Sequence, residues 1–124
     1  MEKLTAQEFK NLIFDYENSK EWTYKGEKPC IIDFYADWCG PCKVVSKVLE
    51  QVEKNYKDKL NIYKVNVDEE TELAEVFQIR SIPTLLFVPL NDQPQMKIGA
   101  LSYNDMVNII RNVLKIDPPA IFIP

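Results

Sequence analysis

The chain predicts an α/β fold built around a parallel β-α-β unit, and three observations carry that prediction. The run Cys30 to Ala36 is short, apolar and bounded by Pro29 and the Gly40-Pro41 turn, which suits a buried central strand better than a helix. From Pro41 to about Asn55, Val44, Val45, Val48, Leu49 and Val52 recur at helical spacing. Leu60 to Val67 then sets Leu60, Ile62, Tyr63, Val65 and Val67 among polar residues, the pattern of a second strand. Strand, helix and strand in that order imply parallel pairing through a crossover.

The remaining elements follow from local signals. Thr5 and Glu8 have the spacing of a capping box, with Leu4 and Phe9 as the hydrophobic staple, so a helix is expected from Ala6 to about Asn18 with Phe9, Leu12, Ile13 and Tyr16 as its buried stripe. The polar stretch Ser19 to Lys28 reads as a connection, in which Trp22 and Tyr24 are expected to lie over the core. A short helix through Leu73, Ala74 and Phe77 should follow the second strand of the unit. Thr84 to Val88 reads as a further strand, and Asn91-Asp92 turns the chain into an antiparallel partner, Gln95 to Ile98, with Pro94 suited to an edge. Ser102 and Asp105 give a capping signature to a last helix ending near Lys115, with Met106, Val107, Ile109, Ile110, Val113 and Leu114 as its apolar face. Asp117-Pro118-Pro119 then forces an extended tail through residue 124. One domain is expected over 1–124, with its core at about 29–115.

Composition narrows the function classes. A chain of 124 residues is long enough to bury a core of its own. No stretch approaches the roughly 20 apolar residues that span a bilayer, and Met1 to Thr5 lacks the basic segment and apolar run of a secretory signal. A cytoplasmic location is therefore expected, with a periplasmic or exported one if a signal segment has been removed. The net charge of −4 argues against a nucleic-acid partner, because phosphate binding uses clustered Lys and Arg. Lys43, Lys47 and Lys54 are spread among acids and read as solvated helix surface. The chain has no histidine, which removes Cys-His and Ser-His nucleophile pairs and every imidazole metal site. Proton transfer then falls to a carboxylate or a thiol.

The chemistry-bearing residues gather where the strand meets the helix. Cys39 and Cys42, two residues apart at that junction, can form a tight disulfide. Cys39 faces the helix amino terminus, where unpaired amide N–H groups and the helix dipole favour a thiolate, so Cys39 is the expected nucleophile and Cys42 the resolving thiol. Half of a zinc site is the alternative, but no second pair follows, and Cys30 falls on the expected central strand as a small core residue. Asp33 interrupts the run of Ile31, Ile32, Phe34 and Tyr35, and a carboxylate buried there costs several kcal/mol when charged. It is expected to hold a raised pKa and to exchange protons with Cys42. The alternative is an exposed face of the sheet, of which a parallel sheet covered on both sides has little.

The segment from Asp33 through Cys39-Gly40-Pro41-Cys42 to Lys43 resembles the active-site segment of the thioredoxin family. Lys64 to Asp68 resembles the family's third strand, Ile79 to Thr84 its cis-proline loop, and Lys97 to Ser102 its last strand and turn. The resemblance implies a thioredoxin fold, a central mixed β-sheet flanked by helices on both faces. It implies catalytic roles for Cys39, Cys42 and Asp33, with Lys64 as the lysine that neighbours the acid. It also implies a substrate-binding surface of Trp38, Gly40, Pro41, Ile82, Pro83, Gly99 and Ala100, with a cis bond before Pro83 and Ile82 offering backbone groups to an extended substrate.

The activity implied is that of a protein-disulfide reductase. Its partners would be thioredoxin reductase, the holder of the flavin (FAD) and NADPH, and disulfide-containing substrate proteins; the chain is expected to be a monomer with no bound cofactor, no metal and no membrane partner. An oxidant or isomerase of the same fold, and a non-catalytic binding subunit, are the alternatives. Lys47 stands where many relatives carry a kinking proline, which predicts a straighter helix, and Ser81 replaces a common glycine.

Overall fold

The computed structural model describes residues 1–120. Its elements in chain order are β1 (Glu2–Lys3), α1 (Ala6–Leu12), β2 (Cys30–Tyr35), α2 (Gly40–Tyr56), β3 (Asn61–Asn66), α3 (Thr71–Val76), β4 (Thr84–Val88), β5 (Gln95–Ile98) and α4 (Tyr103–Ile109). The strands form one sheet in the order β1-β3-β2-β4-β5. β1, β3 and β2 run parallel, while β4 is antiparallel to β2 and β5 to β4, so the sheet is mixed. No helix among the described residues is long and apolar enough to cross a membrane.

Period-two alternation along β2 divides the core. Ile31 joins Val45, Leu49, Val52, Leu85, Phe87, Met106 and Ile110 on the face covered by α2 and α4. Cys30, Ile32 and Phe34 join Leu4, Phe9, Ile13 and Leu73 on the face covered by α1 and α3, where Trp22 and Tyr24 pack against them. Each fully buried Ile, Leu or Phe contributes about 1.5–3 kcal/mol relative to exposure. The same alternation directs Asp33 to the α2 face, because successive strand residues point to opposite sides.

Several expectations are corrected. Helix α1 stops at Leu12 instead of reaching Asn18. Beyond it the Ile13 and Phe14 N–H groups both turn back to the Phe9 carbonyl, and the Ile13 carbonyl accepts from Lys25 N–H. Asp15 closes a turn, its carboxylate accepting from Glu17 N–H and from the Asn18 side chain, an alternative that short acidic residues offer the backbone. Phe14 leaves the helical path to meet the Trp22 ring at 4.8 Å between centroids. Leu12, expected in the buried stripe, is 43% exposed. Val44, on the expected face of α2, also points to solvent.

The capping boxes at Thr5 and Ser102 are both formed. The last helix ends at Leu114, with Lys115 as its left-handed C-cap, close to the expected end near Lys115, but its final part, Ile110–Leu114, is π-helical. The strand β1 has no apolar alternation to announce it: it exists because the β3 edge accepts it, with Lys3 opposite Lys64 and the Leu4 N–H donating to the Lys64 carbonyl. Helix α2 runs unbroken through Lys47. Residues 117–120 form no regular element, and the rest of the expected tail, 121–124, lies outside the described residues.

Candidate active site

The β2–α2 junction builds the site. Cys39 is the N-cap of α2: its Sγ accepts a hydrogen bond from the Cys42 N–H at 3.2 Å, and Pro41 occupies the first turn, where a missing N–H costs nothing. Cys39 and Cys42 are joined in a disulfide. Both are nearly buried, packed with Ala36 and flanked by Tyr35, Val67 and Ile82. No acidic side chain stands in the first turn of α2, so nothing there offsets the positive end of the helix dipole, which favours negative charge on Cys39 once the disulfide opens.

The Ile82–Pro83 peptide bond is cis, and the Ile82 carbonyl oxygen lies 3.9 Å from Cys39 Sγ. Gly99 has φ +101°, a conformation that favours glycine, and its N–H donates to the Pro83 carbonyl at 2.9 Å. This bond fixes the β5 end against the cis-proline loop. Gly40, Pro41 and Ala100 are exposed, Ile82 and Gly99 half-buried, and Pro83 is buried. Pro83 therefore shapes this surface from below. A Cβ added at Gly40 would meet nothing within 4 Å, so this glycine keeps the surface flat rather than relieving a clash.

Trp38 is 71% exposed, yet held: its indole Nε1 donates to Asp68 Oδ2 at 2.8 Å. Asp68 is placed by Asn66, whose buried side-chain oxygen accepts from the Asp68 and Glu69 N–H groups. Sequence reasoning missed Asp68 and Asn66 as supports of Trp38. The run Asn66-Val67-Asp68 at a strand end was the available signal, because Asn there favours a side-chain-to-backbone turn. It also missed Ile98, 66% exposed directly before Gly99.

Beneath the disulfide, a cavity of about 140 Å³ connects Cys42 with Asp33 and is lined also by Tyr35, Lys43, Ser46 and Lys64. Asp33 is 2% exposed, and burial pushes its pKa up to about 7, with Lys64 pulling the other way. Its Oδ1 has no hydrogen-bond partner among the protein groups. Cys30 sits on the opposite face of β2, where burial pushes its thiol up to about 12. Among the described residues, no three His, Cys, Asp or Glu side chains are grouped to hold a metal ion.

Comparison with known proteins agrees with this geometry. The family model described as thioredoxin matches residues 2–112. A thioredoxin of Borreliella burgdorferi is 41% identical over 109 residues, covering 88% of this chain and 93% of its own. One from Rickettsia conorii is 32% identical over 100 residues, covering 81% and 94%. Among solved structures, chloroplastic thioredoxin z superposes with a TM-score of 0.75 at 25% identity, over 89% of this chain and 90% of that one.

Proposed function

Because the chain belongs to the thioredoxin family, we propose that Cys39 and Cys42 are the redox pair with which it acts. It is a thiol–disulfide oxidoreductase, and its activity is the reduction of protein disulfides. The observation that carries the assignment of the pair is the disulfide at the amino terminus of α2, where Cys39 Sγ accepts the Cys42 N–H.

In the dithiol form, the Cys39 thiolate attacks one sulfur of the target disulfide. A Cys39–target disulfide forms, and the other target sulfur leaves as a thiolate that takes up a proton. Cys42 then loses its proton to Asp33 and attacks Cys39 Sγ, which closes the Cys39–Cys42 disulfide and releases the second target sulfur. A carboxyl group titrating near neutrality is suited to that exchange. Lys64 tunes Asp33 by favouring its charged form. The surface of Trp38, Gly40, Pro41, Ile82, Gly99 and Ala100, extended by Ile98, receives the substrate segment, which pairs with the backbone at Ile82 by strand addition.

The two sulfurs are the redox group, so the chain needs no cofactor of its own; the family implies re-reduction by thioredoxin reductase, which holds the flavin and NADPH. We read residues 1–124 as one domain acting as a monomer, without nucleic-acid or membrane partners, in the cytoplasm, where thiols are kept reduced.

The test is the equilibrium redox potential of the Cys39–Cys42 pair in dithiothreitol and glutathione buffers, read by thiol trapping and mass spectrometry. Thioredoxin-type reductants lie near about −270 mV, oxidants and isomerases at about −180 to −120 mV. A value above about −200 mV would contradict the reductase. Cys42→Ser should accumulate the Cys39–target disulfide, and Cys39→Ser should abolish turnover.

A further inference from the structure

Ser46 lines the cavity beneath the disulfide and is an uncharged hydroxyl residue with no part in the mechanism above. Ser46 stands one helical turn after Cys42 on α2, and the i, i+4 spacing stacks the two on one face of the helix. Both line the cavity that reaches Asp33. At about 140 Å³ it has room for several water molecules, since one needs only about 10–15 Å³ by the same measure. Its wall is polar at Asp33, Ser46 and Lys64, which gives water the partners it requires. Asp33 Oδ1 takes no hydrogen bond from the protein, although buried carboxyl oxygens are normally satisfied.

We propose that Ser46 is a positioning residue of the thiol–disulfide reaction: its hydroxyl, hydrogen-bonded to water in the cavity, orders the path by which the Cys42 proton reaches Asp33. The proposal rests on the reading of Asp33 as the base for Cys42. A hydroxyl fits the task because it donates once and accepts twice. In the resolving step the Cys42 S–H bond breaks and its proton passes through water to the Asp33 carboxylate. The sulfur electron pair forms the bond to Cys39 Sγ, and the Cys39–target bond breaks with its pair on the target sulfur. The mixed disulfide is the only oxidant needed.

Titratable groups face the cavity from three directions: Asp33 and Tyr35 on β2 with Asp37 in the loop after it, Cys42 and Lys43 on α2, and Lys64 on β3. Ser46 does not titrate in the accessible range, so Ser46→Ala removes a hydrogen-bonding group without removing a charge.

The experiment uses the reduced full chain and a chromogenic aromatic disulfide in stopped flow, which releases one thiolate on attack by Cys39 and a second on resolution by Cys42. Ser46→Ala should slow the second phase about three- to tenfold, a fraction of what general acid–base catalysis supplies. It should also shift the pH midpoint of that phase and leave the first phase unchanged, and Ser46→Thr should restore both. A Ser46→Ala second phase with wild-type rate and midpoint overturns the proposal, as does equal slowing of both phases, which would mark a merely structural role. Asp33→Asn in parallel separates the two readings: if it alters the second phase while Ser46→Ala does not, the base stands and the serine falls. If neither variant alters it, both fall.

Discussion

Asp33 and Lys64 are register partners on neighbouring parallel strands, yet the lysine ammonium lies 5.6 Å over the centre of the Tyr35 ring and makes no ion pair of hydrogen-bonding length with the carboxyl group. The cation is near enough to attract the carboxylate but not to replace its lost hydration. Burial therefore dominates, and the Asp33 pKa rises to about 7.

This arrangement should cost stability at neutral pH. Between the ordinary carboxyl pKa of 3.8 and about 7, the folded chain holds a proton that the unfolded chain releases. Stability falls as pH rises through that window, and the full penalty, about 4 kcal/mol at most, is present above it. Asp33→Asn should raise the urea midpoint of the oxidised protein strongly at pH 8 and much less at pH 4. An equal gain at both pH values would show that charge burial is not its source.

Lys64→Met removes the attraction that opposes burial, so the Asp33 midpoint should move further up. Carboxyl-carbon NMR titration of Asp33 reads it directly. A midpoint that stays or falls would mean that Lys64 does not act on this acid.

Asp68→Ala should free the Trp38 indole. One lost hydrogen bond of about 1 kcal/mol predicts a roughly fivefold fall in kcat/KM toward a protein disulfide, with the redox potential little changed. Trp38 fluorescence anisotropy, in a Trp22→Phe background, should fall in parallel. Unchanged anisotropy would remove Asp68 as the support.

Gln78 ends α3 with φ +51°, where a side chain is strained, and its N–H bonds back to the Glu75 carbonyl. Gln78→Gly should stabilise the fold by about 0.5–1 kcal/mol, seen as a higher urea midpoint. A lower midpoint would show that the Gln78 side chain contributes more than its backbone strain costs.

The fold was legible where one local rule governs. The β4 and β5 bounds match those expected from the apolar run and the Asn91-Asp92 turn, both capping boxes formed, and Cys39 lies at the helix start as the strand-turn-helix pattern required. Reading failed where two local preferences competed. Past Leu12 the helical spacing continues to Tyr16, but the Asp15 turn and the Phe14–Trp22 contact bend the chain away. The strand β1 carries no pattern of its own and depends on an edge contributed by residues about sixty positions later.

By itself the sequence determined the redox pair, its place at a helix amino terminus and the presence of an acid in an apolar strand, because each depends on residue type and short-range spacing. Only the tertiary structure decided that Asp33 faces α2 across a cavity shared with Cys42 and Ser46, that Asp68 holds Trp38, and that Pro83 lies buried beneath the surface formed by Gly40, Pro41, Ile82 and Gly99. Those relationships join residues far apart in the chain. Their distances are set by how the strands align and how the helices pack on the sheet, which no local spacing encodes.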